Sequence, residues 1–272
     1  MIKISFAAII LLIISYIWVK PVITEYKRQQ IAQQNFPVYW VSILEQNVYL
    51  YRNLAYNIRQ ELHKLILVFL KEKQFIGCGG LQITDEIKIT IAAQACLLLL
   101  SKRSNYYSYL DSILVYPSIF VVQRNKPFLE HYLEEQEILS GESWGKQGLV
   151  VLAYDQVLNE AKNYNQGHNV VLHEFAHQLD QEDGSMNGVP KLRNNQEYQE
   201  WAIIFREAYQ QLCYEIETGI ATKINQYAIT NPAEFFAVMT EIYFTQPQIL
   251  QNQYPLVYQQ LKNYYKIEIT TL

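Results

Sequence analysis

His173-Glu174-Phe175-Ala176-His177 lies inside NVVLHEFAHQLD, a stretch whose apolar residues recur at helical spacing. On a helix, positions i and i+4 stand on one face, one turn apart. Two imidazoles so placed can share one divalent metal, at about 2.0–2.1 Å each for zinc. Glu174 follows the first of them directly, so it flanks the metal without having to bind it. That is where a general base takes a proton from water. A single His on an apolar helix face is more often structural than a ligand. Two at i, i+4 with the Glu between them reverse that expectation.

Two His leave a catalytic zinc short of a ligand, because such sites use three protein ligands and one open position. Candidates for the third are His168, Asp180, Glu182, Asp183, Glu234 and Glu241. His168 stands five residues before His173, off the shared face. Asp180 shares the face of His177, but a straight helix does not wrap three ligands round one metal. It reads better as an outer carboxylate holding a ligand His by its free N–H. Downstream, Asn231 and Pro232 suit the cap and first position of a helix. Glu234 then falls in the first turn, aimed at the metal or serving the helix dipole. Glu241 is two turns further on the same face and reads as a second outer carboxylate. Tyr227, seven residues before Glu234, is placed to donate to an oxyanion, although spacing alone does not single it out among 22 tyrosines. A structural zinc site would use four protein ligands, often Cys; Cys78, Cys96 and Cys213 all lie away from the motif.

The three cysteines form no CxxC pair, which argues against a disulfide framework and for a reducing compartment. Net charge is −4 with both signs mixed along the chain, so nucleic acid is not an expected partner. The N-terminus is different in kind. Ile4 to Val19 reads ISFAAIILLIISYIWV without a charge, preceded by Lys3 and followed by Lys20, Lys27 and Arg28. A membrane span needs roughly 17–25 apolar residues, and flanking lysines extend a marginal one. No small-residue cleavage pattern follows Val19. The reading is an uncleaved single-pass anchor at 1–22, with the positive residues placing the body in the cytoplasm. Residues 23–38 read as a linker or leading helix, and 39–268 as one domain.

Within that domain, apolar spacing predicts two helices over Val41–Glu72, a loop at Phe75–Gly80, and a buried helix from an Asp85 cap to about Lys102. Ser112–Val122 reads as a strand pair or an edge strand around Pro117. Gly148–Ala153 reads as another strand, with its edge open to an extended peptide. Helices are expected at Asp155–Lys162, Asn169–Asp180, Gln196–Ile216, Ala233–Phe244 and Tyr254–Tyr265. The fold class is α+β: helix-rich, with a small sheet.

At these residues the chain resembles the Mlc titration factor A family of zinc-dependent peptidases. The resemblance is carried by Ala92-Ala93-Gln94-Ala95-Cys96-Leu97, Ile113-Leu114-Val115-Tyr116-Pro117, Ser140-Gly141-Glu142-Ser143-Trp144, His173 to Asp180, Gly184 to Pro190, and Asn231-Pro232-Ala233-Glu234-Phe235-Phe236-Ala237. It covers roughly residues 40–265 and not the N-terminal anchor. The family's core is similar to that of anthrax lethal factor, with a Glu on a second helix and a Tyr seven residues earlier. The resemblance implies a zincin-like domain with one zinc at His173, His177 and Glu234, Glu174 as base and Tyr227 as oxyanion donor. It implies a peptide or protein substrate. It also implies an alternative in which the chain sequesters a transcriptional repressor and hydrolysis is incidental.

Overall fold

The computed structural model describes residues 2–101, 104–118, 120–128, 131–139, 141–144 and 148–268. Helix α1 (Ile2–Ala32) leads, followed by α2 (Val38–Asn47), α3 (Tyr49–Arg52), α4 (Tyr56–Glu72), strand β1 (Gln74–Gly77) and α5 (Asp85–Leu97). Strands β2 (Ser112–Tyr116), β3 (Phe120–Phe128), β4 (His131–Leu139), β5 (Gly141–Trp144) and β6 (Leu149–Ala153) come next. The rest is helical: α6 (Tyr154–Lys162), α7 (Val170–Asp180), α8 (Asn195–Glu217), α9 (Pro232–Thr245), α10 (Pro247–Gln253) and α11 (Pro255–Tyr265).

Helix α1 contains one stretch, Ala8–Ala32, long and apolar enough to cross a membrane, with its apolar window unburied by the rest of the chain. The helix continues unbroken past residue 23, so the segment expected as linker or leading helix is helical through Ala32. Its far end is clamped to the body. The Arg28 guanidinium donates to both Glu72 oxygens (2.6 and 2.9 Å) and to Asn105 Oδ1 (2.6 Å), and lies over the Tyr106 ring at 4.4 Å.

The main sheet runs β1-β2-β6-β5. The first three strands are parallel and β5 is antiparallel to β6. Parallel strands need long crossovers: α5 joins β1 to β2, and the β3–β4 hairpin with β5 joins β2 to β6. Strand β6 pairs on both sides, with Ser112 opposite Leu149 and Gly141 opposite Leu152. Among the described strands the sheet's edges are β1 and β5, so the edge expected at Gly148–Ala153 falls on neighbouring β5 instead. A strand covered on both faces reads as an unbroken apolar run, so its pattern says nothing about lateral neighbours.

Three other expectations change. Phe75–Gly77 lies in strand β1, not in a loop; that strand is four residues at a sheet edge, too short and glycine-marked to show alternation. Ser112–Val122 splits at Pro117 into interior strand β2 and the start of a separate hairpin. Helix α5 ends at Leu97 and is capped by Thr84, whose Oγ1 accepts from Ile87 N at 3.3 Å. Asp85 instead accepts hydrogen bonds from Tyr39 and Trp40.

Every residue of α5 from Ile89 to Leu97 is buried, as its all-round apolar sequence requires. Helix α7 packs against α5, α6 and α9 on its helical sides and against β5 and β6 on the sheet. The motif helix is thus fixed between sheet and helices, and only its ligand face is open.

Candidate metal centre

Helix α7 is capped by Asn169. Its Oδ1 accepts from Leu172 N (2.9 Å), and its Nδ2 donates to Gln94 Oε1 on α5 (2.7 Å). The next free N–H groups meet carboxylates. Asn169 N donates to Glu241 Oε2 (2.6 Å) and Val170 N to Glu160 Oε2 (2.5 Å). Negative charge at a helix N-terminus is favoured by both hydrogen bonding and the helix dipole.

One turn in, the ring nitrogens His173 Nε2 and His177 Nε2 stand 3.1 Å apart. Asn231 caps α9 by accepting from Ala233 N (2.9 Å) and Glu234 N (3.0 Å), with Pro232 at the first helical position. That cap places Glu234 in the first turn, with Oε2 at 3.0 Å from His173 Nε2 and 3.3 Å from His177 Nε2. Among the described residues, this is the group of three potential ligands that converges.

The set fits a metal on two counts. Tetrahedral ligands at zinc bond lengths stand about 3.3 Å apart, close to the three separations here. Glu241 Oε1 lies 2.7 Å from His173 Nδ1, which keeps the ring proton on that side. His173 Nε2 then presents a lone pair to a carboxylate oxygen and a second imidazole, an arrangement that calls for a cation between them.

Glu174 is 5% exposed, and its Oε2 has no hydrogen-bond partner among the described residues. Burial pushes its carboxyl up to about 8. It lines a cleft of about 570 Å³ together with His173, His168, Lys223 and Tyr227. Tyr227 sits in a 3₁₀ turn (Gln226–Ile229) before α9, its ring 6.0 Å from that of His173 and half exposed.

The glucose-regulated metallo-peptidase family M90 matches residues 23–266. This chain belongs to that family. It is 44% identical over 261 residues to an uncharacterized protein of Synechocystis sp. (strain ATCC 27184 / PCC 6803 / Kazusa), covering 96% of this chain and 95% of that one. It is 30% identical over 212 residues to Mlc titration factor A of Yersinia pestis (strain Pestoides F), covering 76% of this chain and 77% of that protein. Mlc titration factor A of Yersinia pseudotuberculosis serotype O:1b (strain IP 31758) matches to the same extent.

In this M90 chain the remaining candidates part from the metal. His168 Nδ1 pairs with Glu160 Oε1 at 2.8 Å. Glu182 accepts from the Ser104 hydroxyl and from Asn105 N (3.2 Å). Asp183 accepts from Ser185 N at 3.0 Å. Asp180 does not hold a ligand imidazole as expected. Its two oxygens accept from Gly188 N (2.8 Å) and Val189 N (2.9 Å), and His177 Nδ1 has no hydrogen-bond partner among the described residues. At the C-terminal end of α7, the Asp180 carboxylate meets the returning chain before it can reach back to a ring. Glu160 and Gln94 were missed as supports of the site. A signal for Glu160 did exist: it falls at i+3 from Val157 and beside Ala161, on the buried face of α6.

Proposed function

We propose that this M90 chain is a zincin-like peptidase in which His173, His177 and Glu234 hold one zinc and Glu174 is the general base. The observation that carries this is the convergence of three ligand atoms within 3.0–3.3 Å of one another, near a buried carboxylate oxygen that has no partner among the described residues. Zinc held there supplies Lewis acidity, polarising a peptide carbonyl and acidifying water. Glu174 takes a proton from the water as its oxygen attacks the carbonyl carbon, then delivers it to the departing amine nitrogen as the C–N bond breaks. Tyr227 donates its O–H to the oxygen that gains charge. Glu241 keeps the His173 proton on Nδ1 and the ring in place. The open edge of β5, beside α7, offers backbone pairing to an extended substrate.

We assign residues 1–22 as a membrane anchor, 23–38 as the linker to the body, helical through Ala32, and 39–268 as the peptidase domain, facing the cytoplasm. The test is Glu174→Gln in the full-length protein in detergent, scored for metal content and peptide hydrolysis. Hydrolysis should fall by about 10²–10⁴-fold with one zinc retained. Unchanged hydrolysis would remove Glu174 from the mechanism.

The name of the Yersinia relatives favours a second reading, in which the chain sequesters a transcriptional repressor such as Mlc. On that reading the same variant, inert towards peptides, still controls the regulator in cells.

A further inference from the structure

The carboxylate of Asp180 is fully buried, at the end of a helix where the dipole disfavours negative charge. No cationic side chain pairs with it among the described residues. What it holds is the backbone of Gly188 and Val189, at 2.8 and 2.9 Å. Gly188 is gripped from two further sides. Trp201 Nε1 on α8 donates to Gly188 O at 3.0 Å, and the Trp201 ring packs edge-on against Phe236 of α9. On its open side Gly188 lies against the first residue of α9: a Cβ there would fall 2.3 Å from Pro232 O and 2.8 Å from Pro232 C. Its φ of +80° also suits glycine. Pro232 is two residues before Glu234.

We propose that Asp180 is a positioning residue for the third metal ligand, acting through the Gly188–Val189 backbone to fix where α9 begins and hence where Glu234 Oε2 points. The inference rests on the ligand assignment above. The last residue of the helix bearing two ligands is tied, by one residue of backbone, to the first residue of the helix bearing the third. The two helices also meet along their lengths, but this joint is what sets the axial position of the α9 N-terminus against α7. An apolar residue at 180 would fill the space, leave Gly188 N unpaired and leave Val189 N only its contact with Asn187 Oδ1 (3.0 Å); a carboxylate serves both N–H groups at once.

The test is a double-mutant cycle on zinc affinity, measured by chelator competition on the full-length protein in detergent, with Asp180→Asn, Glu234→Ala and their combination. Asp180→Asn keeps the shape and one acceptor oxygen but loses the other. It should weaken zinc about 10–100-fold and shift the visible spectrum of the cobalt-substituted site. In the Glu234→Ala background it should change affinity less than about 2-fold, because the ligand it positions is gone. Parent affinity in Asp180→Asn, or the same loss with and without Glu234, would overturn the proposal. Should Asp180→Asn not fold, Gly188→Ala replaces it and displaces Pro232 directly, with the same non-additivity expected and parent affinity as the overturning result. Parent affinity in Glu234→Ala would instead show the ligand assignment to be wrong, and the proposal would fall with it.

Discussion

The two ends of α7 are both held by buried carboxylates, for opposite electrostatic reasons. At the N-terminal end, Glu160 and Glu241 accept from the helix's own unpaired N–H groups, where the dipole welcomes negative charge. Each then reaches on to an imidazole, Glu160 to His168 and Glu241 to His173. At the C-terminal end, Asp180 sits where the dipole resists it and takes N–H groups from the loop that follows α7. On the proposed ligand set, the first end orients a ligand on α7 itself, while the second ties α7 to the helix that brings a ligand from elsewhere. A metal site assembled from two helices needs both: one support to aim the side chains and one to fix the helices relative to each other.

The N-terminal end should break most severely. Glu241→Ala leaves Asn169 N and the His173 Nδ1 proton without acceptors. A loss of about 1–3 kcal/mol for each stranded donor, and of about 10–100-fold in zinc affinity, is expected in denaturant unfolding and metal titration. A smaller loss than from Asp180→Asn would invert the ranking of the two ends.

Acid titration sharpens the comparison. Burial pushes the Asp180 carboxyl from 3.8 up to about 6, against the pull of its backbone donors. Between those values the native chain binds more protons than the unfolded one, so this group makes stability fall as pH rises from about 4 to about 6, on the order of 3 kcal/mol. Asp180→Asn removes that slope in melting curves of the metal-free protein; an unchanged slope would mean that another group carries it. At the other end, the hydrogen bond to Glu160 raises His168 above 6.5, against the effect of burial. Its contribution is present below 6.5 and is lost as pH rises through the folded value. Both ends therefore favour acid, in separate windows, and His168→Gln should flatten only the upper one.

The smallest effect is at the cap. Asn169→Ala removes the acceptor for Leu172 N and the link to Gln94, at a cost of about 1 kcal/mol, and leaves both carboxylates in place. A fall in zinc affinity beyond about 10-fold would show the cap itself to be part of ligand orientation.

How much of this was legible in the sequence follows the range of each interaction. The motif helix was legible because HExxH and its apolar spacing are local, and the Asn231-Pro232 start of α9 is local as well. The choice of Glu234 over five rivals came from family resemblance, since nothing in spacing says which distant helix folds onto α7. Tertiary supports were legible only in part. Glu241 was placed by its two-turn offset from Glu234, but the sequence did not show that it also caps α7. Asp180 was picked out and given the wrong partner, because the loop that returns to it closes over residues no periodicity connects. Strand order failed for the same reason: GLVVLA predicts a buried strand and is silent on which strand stands at the edge.

The most direct test of the ligand set is X-ray absorption at the zinc edge on the full-length, zinc-loaded protein, compared with Glu234→Ala. Two imidazoles and a carboxylate oxygen per zinc are expected in the parent, with that oxygen lost and affinity lowered in the variant. An identical zinc environment in both, or a parent that binds no zinc, would contradict a metal centre built from His173, His177 and Glu234.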